Sequence, residues 1–307
     1  MVKTGHLGLG ARKNPRDEIE RRGYRPPAPY KLDVEIIRMS DLRARVTNNH
    51  LRSVHRLEFY MLICVTRGEC VHTIDFQQIL CKQGSFLVLR PSHTEQFDLE
   101  HDWDGWLVLF RPEFLFPLRS TQKSDDLDLV SILLSLPDHL ALQELEYRMV
   151  TDAMSQMFDD STNQASPTET NALIRYQLCA LLLRIEIMHR QQLVQKHASL
   201  LEVQRFNRFQ QCVEQHFAKW RQVREYASAL GCSEKSLTRA TREVAGITAK
   251  TFIAARINLE AKRLLAHTAL PVAMIADSLG FDEPTNFIKF FKLEAGCTPA
   301  VFRRRHR

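Results

Sequence analysis

Apolar positions follow two different periods along this chain, and the change between them divides it. From Leu57 the apolar runs are short or alternate with polar residues: "LEFYMLICVT", "CVHTIDF", "SFLVLR" and "GWLVLF". Turn formers separate them at Arg67-Gly68, Gln83-Gly84, Pro91-Ser92 and Asp104-Gly105. Branched and aromatic side chains at such spacing fit a pleated, half-buried surface, so this segment is expected to form a small sandwich or barrel. After Leu127 the period becomes helical. "FDDSTNQASPTETN", residues 158–171, is expected as a polar connector, after which Ile174, Leu178, Leu181, Leu182 and Ile185 share one helical stripe. That stripe either packs on the barrel or pairs with a second subunit, and the expectation of a homodimer rests on it.

The last hundred residues read as nearly all helix and contain a repeat. Val223, Ala227, Leu230 and Gly231 recur 49 positions later as Val272, Ala276, Leu279 and Gly280. Leu237, Gly246 and Thr248 recur 50 positions later as Phe287, Gly296 and Thr298, so one residue has been added in the second turn. Two copies are too few for a solenoid and fit two helix-turn-helix units, about 221–246 and 270–296. In the first, Val223, Ala227 and Leu230 form the buried side, with the small Ala227 where a second helix crosses, and Gly231 ends the helix. Ser233 caps the next helix, whose apolar side is Leu237, Ala240, Thr241 and Val244.

The other side of that second helix is Lys235, Thr238, Arg239 and Arg242. The offset of 50 places Thr285, Ile288, Lys289 and Lys292 on the equivalent face of the second unit, with Asn286 beside them and Phe287, Phe290 and Phe291 behind. A helix that holds its domain with one side and presents long donors on the other suits the DNA major groove. There Arg or Lys pairs with guanine, Asn with adenine, and Thr or Ile touches a thymine methyl. Either helix alone is equally an ordinary solvated charged face; duplication with the same turn glycine turns the reading toward double-stranded DNA. "TFIAARINLEAKRLLAHT", 251–268, is expected as a linking helix of about 27 Å. With a unit at each end, that is of the order of one DNA turn. Pro271 in the first turn of the following helix, and Thr298-Pro299 as cap and first residue, mark helix starts.

Charge adds to this picture. From Glu202 onward there are 18 Lys and Arg against 10 Asp and Glu, whereas Leu32 to Leu201 carries 16 against 23. A basic end beside an acidic middle is expected when only one domain faces a polyanion. The seven cysteines form no C-x-x-C and no zinc-like pairing with histidine, which predicts reduced thiols in the cytoplasm, with Cys232 a half-buried turn residue. The amino end has no continuous apolar segment, and no run approaches the roughly 20 apolar residues of a membrane helix, so no membrane partner is expected. Residues 1–30, rich in Gly, Pro and basic residues, are expected to form a mobile arm.

Residues 206–302 resemble the DNA-binding domain of the AraC/XylS family of bacterial transcription regulators. The resemblance runs through "YASALGCSEKSLTRATREVAGIT", "RINLEAKRLLAHT", "VAMIADSLGF" and "NFIKFFKLEAGCTPAVFR". It covers the carboxyl third and includes both units, the linking helix and the closing G-x-T-P-x-x-F-R. It implies that Lys235, Thr238 and Arg239 are the base-facing set of the first recognition helix, and Thr285, Asn286 and Lys289 that of the second. Glu283 stands where many members have Asp before the proline. Residues 55–115, with "CKQGSFLVLRPSHTEQF", resemble the cupin-like effector domain of such regulators, followed by helices that pair subunits.

The fold class expected is therefore α+β and multidomain: an amino-terminal β-barrel or cupin-like domain (31–126), helices for dimerisation and linkage (127–200), and an all-α domain with two helix-turn-helix units (201–307). The function expected is a sequence-specific transcription regulator whose partners are promoter DNA, a small-molecule effector, a second copy and RNA polymerase. Tyr60, His72, His93 and Trp106 are the candidate effector contacts, although Trp103 and Trp106 read first as barrel packing. Cupins can be metalloenzymes, which makes His55, His72, His93 and His101 candidate ligands. A metal site wants an H-x-H with a carboxylate and a later His, and the chain has no H-x-H, so no metal, no cofactor and no enzymatic activity are expected. Two alternatives stay open: an amino-terminal domain that only dimerises or binds a protein partner, and a metal-dependent cupin enzyme.

Overall fold

The computed structural model describes residues 21–22, 32–46, 55–115, 129–162, 166–195 and 199–306. The expected mobile arm lies outside these residues except for Arg21–Arg22, which form a short strand, β1. The chain divides into two compact units, one ending at Glu186 and the other beginning at Ile187.

The first unit continues with β2 (Val34–Arg38), α1 (Met39–Arg45), β3 (His55–Leu57), β4 (Tyr60–Arg67), β5 (Glu69–Ile74), β6 (Gln77–Lys82), β7 (Ser85–Leu89), β8 (Thr94–Gln96) and β9 (Asp104–Phe110). Then come α2 (Pro112–Leu115), α3 (Leu129–Ser135), β10 (His139–Ala141), α4 (Glu144–Thr162) and α5 (Pro167–Gln195), which runs on past the division. One sheet has the order β1-β3-β8-β5-β6 and the other β10-β7-β4-β9-β2. Strand neighbours are antiparallel apart from the parallel β1 and β3.

The alternation along β4 explains the layers. Met61, Ile63 and Val65 join Leu87, Leu89, Leu107 and Leu109 from adjoining strands, and Cys70, Ile74 and Cys81 from the other sheet, in one buried core. Tyr60, Leu62 and Cys64 alternate with them and face the opposite side of the sheet. On that side Trp106, register partner of Cys64, meets Phe158 of α4 at 5.4 Å between ring centroids. Burial of both faces is why β4, β7 and β9 read as nearly continuous apolar runs.

Several expectations change here. Strands β2, β6, β8 and β10 lie outside the four apolar runs; in β6 Ile79 and Cys81 face the core, but Leu80 between them is exposed, so residue type does not alternate with burial. Asp104-Gly105, expected as a turn, opens strand β9. A Cβ on Gly105 would stand 2.5 Å from the Cys64 carbonyl oxygen, so this glycine serves a close approach of backbones within the sheet. The connector expected over 158–171 is helical for much of its length, with α4 continuing to Thr162 and α5 starting at Pro167. The stripe from Ile174 to Ile185 is at most 1% exposed, so it packs within its own protomer and is not available to a second subunit.

The second unit contains α6 (Leu200–His216), α7 (Val223–Ala229), α8 (Glu234–Ala245), α9 (Ala249–His267), α10 (Val272–Ser278), α11 (Pro284–Ala295) and α12 (Pro299–Arg305). Ser199, Ser233, Thr248 and Thr298 cap α6, α8, α9 and α12, each side chain accepting a backbone N–H three residues on. The linking helix α9 buries Ile253, Ile257, Ala261 and Leu265 and packs on helices of both helix-turn-helix units. The core of the first helix-turn-helix centres on Tyr226, whose ring meets Phe209 at 5.5 Å and whose hydroxyl donates to the Trp220 carbonyl at 2.9 Å. Tyr226 takes the buried position expected of Val223 and Leu230, both half-buried, as are Val244 and Phe290. Pro271 is the residue before α10, at the N-cap position and without a side-chain capping bond, rather than lying in its first turn.

Candidate nucleic-acid interface

Both turns close with the same backbone hydrogen bonds. Gly231 donates to the Ser228 carbonyl at 3.1 Å and Cys232 to that of Ala227 at 3.0 Å; Gly280 donates to Asp277 at 2.8 Å and Phe281 to Ala276 at 2.9 Å. The glycines take φ of +62° and +72°, which completes a Schellman closure in each copy. The copies differ in what surrounds the turn. A Cβ at Gly231 would meet nothing within 4 Å, whereas one at Gly280 would stand 2.2 Å from the Ala218 carbonyl oxygen. Beside Gly280, the Arg221 guanidinium lies 3.5 Å over the Phe281 ring and donates to the Leu279 carbonyl at 3.3 Å.

These turns aim α8 and α11. Leu237, Ala240 and Thr241 are buried beneath α8, and the Thr241 hydroxyl donates to the Leu237 carbonyl at 2.8 Å. Phe287 and Phe291 are buried beneath α11. On the outward side Lys235, Arg239, Arg242, Thr285, Asn286, Ile288, Lys289 and Lys292 are exposed, and Thr238 is half-buried. The fold thus brings each group of four candidates onto one helix face.

Not every cation of the second compact unit is equally available. Arg256 donates to Glu214 at 2.8 Å and stacks 3.9 Å over Phe217, while Arg303 donates to the Leu265 carbonyl at 3.2 Å, so both serve the fold. Arg239 is intermediate: its side chain is 60% exposed, yet Nε donates to Glu202 at 3.0 Å and Nη2 donates to the same oxygen. Burial pushes the Glu202 carboxyl up, but hydrogen bonds from Arg239 and Arg205 outweigh it and hold the group below the ordinary carboxylate range. Sequence reasoning passed over Glu202 because its pairing spans 37 residues, beyond any helical period. It also passed over Leu293, 81% exposed on α11. That one was findable, since it stands 50 positions after Glu243.

The candidate effector residues do not converge. His72 lies on β5 between core residues Cys70 and Ile74, fully buried, edge-on to Phe97 at 5.2 Å and with Nε2 3.8 Å from Glu95. Burial lowers its pKa to about 4. Tyr60 and Trp106 belong to the opposite face of the other sheet, where Tyr60 stacks on Phe110 at 5.3 Å and Arg38 lies 3.8 Å over Trp106. His93 is buried just before β8, where its backbone donates to the Arg90 carbonyl at 3.0 Å. Among the described residues no group of three or more His, Cys, Asp or Glu is placed to hold a metal, and no helix is long and apolar enough to cross a membrane.

Comparison with known proteins decides the family. Residues 41–178 match the AraC-like ligand binding domain and residues 226–305 a helix-turn-helix domain. The chain belongs to the AraC/XylS family. Each matched span of this AraC/XylS protein falls inside one of the two compact units. It is similar to the HTH-type transcriptional activator RhaS of Enterobacter sp. (strain 638), 22% identical over 256 residues, covering 81% of this chain and 87% of that one. The uncharacterised HTH-type transcriptional regulator YisR of Bacillus subtilis (strain 168) is 28% identical over 92 residues, 30% of this chain and 32% of that one. The structure of ToxT from Vibrio cholerae O395 aligns over 89% of this chain and 97% of its own, with 9% identity and a TM-score of 0.37. An AraC/XylS chain with both domains is a DNA-binding transcription regulator.

Proposed function

We propose that this AraC/XylS protein is a cytoplasmic, non-enzymatic activator that sets α8 and α11 into successive major grooves of promoter DNA and answers to a small-molecule effector held by its first unit. The observation that carries the reading is the pair of helices with matching outward faces, one bearing Lys235, Thr238, Arg239 and Arg242 and the other Thr285, Asn286, Lys289 and Lys292. A homodimer forms through the outer side of α4 and α5, where Leu145, Leu173 and Tyr176 are 82%, 46% and 73% exposed. An open depression lined by Leu145, Met149, Ala153 and Arg184 lies in the same region. RNA polymerase is the protein partner on the promoter.

Asn286→Ala tests the base-reading assignment. It is expected to cost about 1 to 3 kcal/mol on the selected site while scarcely changing binding to random DNA. Equal losses on both would leave Asn286 a backbone contact and sink the assignment. A second reading, in which the first unit only pairs subunits, is favoured by the apolar side chains packed between its sheets. Thermal shift of the full chain against a metabolite panel separates the two, since a bound effector stabilises the fold and a pure dimerisation unit responds to none. Light scattering at micromolar concentration checks the dimer.

A further inference from the structure

Arg239 is the outward residue of α8 whose guanidinium is held by a buried carboxylate. Glu202 is in the first turn of α6, its side chain 4% exposed, and it accepts from Arg205 at 2.7 Å through one oxygen and from both Nε and Nη2 of Arg239 through the other. Helix α6 in turn is fixed by the Ser199 cap and by Phe206 and Phe209 against Phe252 of α9. A rigid element thus presents a carboxylate to one edge of a side chain that is still 60% exposed.

We propose that Glu202 is the positioning residue that makes Arg239 a specific reader of guanine. This rests on the reading of Arg239 as a base contact. The guanidinium is a planar fork, and a carboxylate on its Nε–Nη2 edge leaves the adjoining Nη1–Nη2 edge, through the second hydrogen of Nη2, to pair with guanine O6 and N7. A long side chain without such a support loses rotamer entropy when it meets a base; one already held loses less, so the support raises discrimination rather than general attraction. Its negative charge acts against phosphate binding, which sets it apart from a residue that merely adds affinity. The second unit does not repeat the arrangement. The position equivalent to Arg239 is Lys289, a point charge without a fork, and the position equivalent to Glu243, whose carboxylate lies 3.9 Å from Arg239 Nε, is Leu293.

The test is selection of a randomised double-stranded DNA library by the purified full chain, carried out for the wild type, Arg239→Ala, Glu202→Gln and the double variant, with thermal melting of each. Arg239→Ala is expected to relax the base preference at one position, and Glu202→Gln to relax the same position, lowering affinity for the selected site about tenfold while random-DNA binding stays level or rises. In the Arg239→Ala background Glu202→Gln should add little. If Arg239→Ala relaxes a position that Glu202→Gln leaves strict, the positioning role is overturned although Arg239 remains a reader. If Glu202→Gln tightens the selected site, the carboxylate withholds Arg239 and the proposal fails in the other direction. If Arg239→Ala changes no base preference, the reading of Arg239 itself falls and takes this role with it. Should Glu202→Gln melt below the assay temperature, Arg239→Lys serves instead: it keeps Glu202 and the positive charge but loses the fork, and unchanged discrimination would overturn the proposal.

Discussion

Gly231 and Gly280 hold the same place in two turns, yet alanine is expected to act on them unequally. Both sit in the left-handed region, which costs an L-residue about 1 to 2 kcal/mol. At Gly231 nothing stands near the new methyl, so Gly231→Ala should lose little more than that. At Gly280 the methyl would meet the Ala218 carbonyl oxygen at 2.2 Å, and main chain must shift, adding about 1 to 3 kcal/mol. Hydrogen exchange in the full chain measures the difference, read on α7 and α8 amides for Gly231→Ala and on α10 and α11 amides for Gly280→Ala, and equal losses of protection would contradict it. Burial acts similarly on His72, whose pKa it lowers from 6.5 to about 4 against the opposing pull of Asp98. The folded state holds this ring neutral while the unfolded chain protonates it near its ordinary value. The contribution is therefore fully present above pH 6.5 and declines as the pH falls toward about 4, by up to about 3 kcal/mol. His72→Phe should flatten stability across that window, and an unchanged slope would show that other groups set it.

At the level of helices, the two recognition elements start differently. Ser233 caps α8 with its hydroxyl, while Glu283 precedes Pro284 at the start of α11 and makes no side-chain cap. Glu283→Ser should stabilise the second unit by about 0.5 to 1 kcal/mol by satisfying an orphan N–H, read as a raised thermal midpoint. A fall in midpoint would mean that Glu283 has another role. Local chemistry of this sort is what made the carboxyl third legible: caps, turn glycines and a stripe of four outward residues are all written within about one helical turn of one another. The sheets were legible where a run is buried on both sides, as in β4 and β9, and not in the edge strand β6, where exposed Leu80 stands between inward Ile79 and Cys81 and masks the alternation. The stripe on α5 announced a buried face without saying what buries it, because periodicity carries no information about the partner. Tyr60, His72 and Trp106 illustrate the same limit, since parity along single strands does not tell which face of which sheet encloses the core. The pairing of Glu202 with Arg239 depends on α6 crossing α8, which no local pattern encodes.

Across the whole molecule, charge is partitioned, and the partition governs how DNA binding responds to salt. The segment from Glu202 onward has 18 Lys and Arg against 10 Asp and Glu, but Arg256 and Arg303 are tied into the fold. The number that matters is the number of exposed cations meeting phosphates, each of which steepens the fall of log affinity with log salt by about 0.9. Arg242 and Lys292 occupy equivalent positions in the last turns of α8 and α11, on the faces that carry the base-reading candidates. Arg242→Ala and Lys292→Ala are each expected to reduce the salt slope by about 0.9, and the double variant by about twice that, on selected and random DNA alike. Asn286→Ala carries no charge change and should shift the whole line downward on the selected site with its slope intact. Titrations across a range of salt concentrations separate these outcomes. A slope that stays constant when Arg242 and Lys292 are removed would place the phosphate contacts elsewhere on the second unit, and with them the face of the chain that meets DNA.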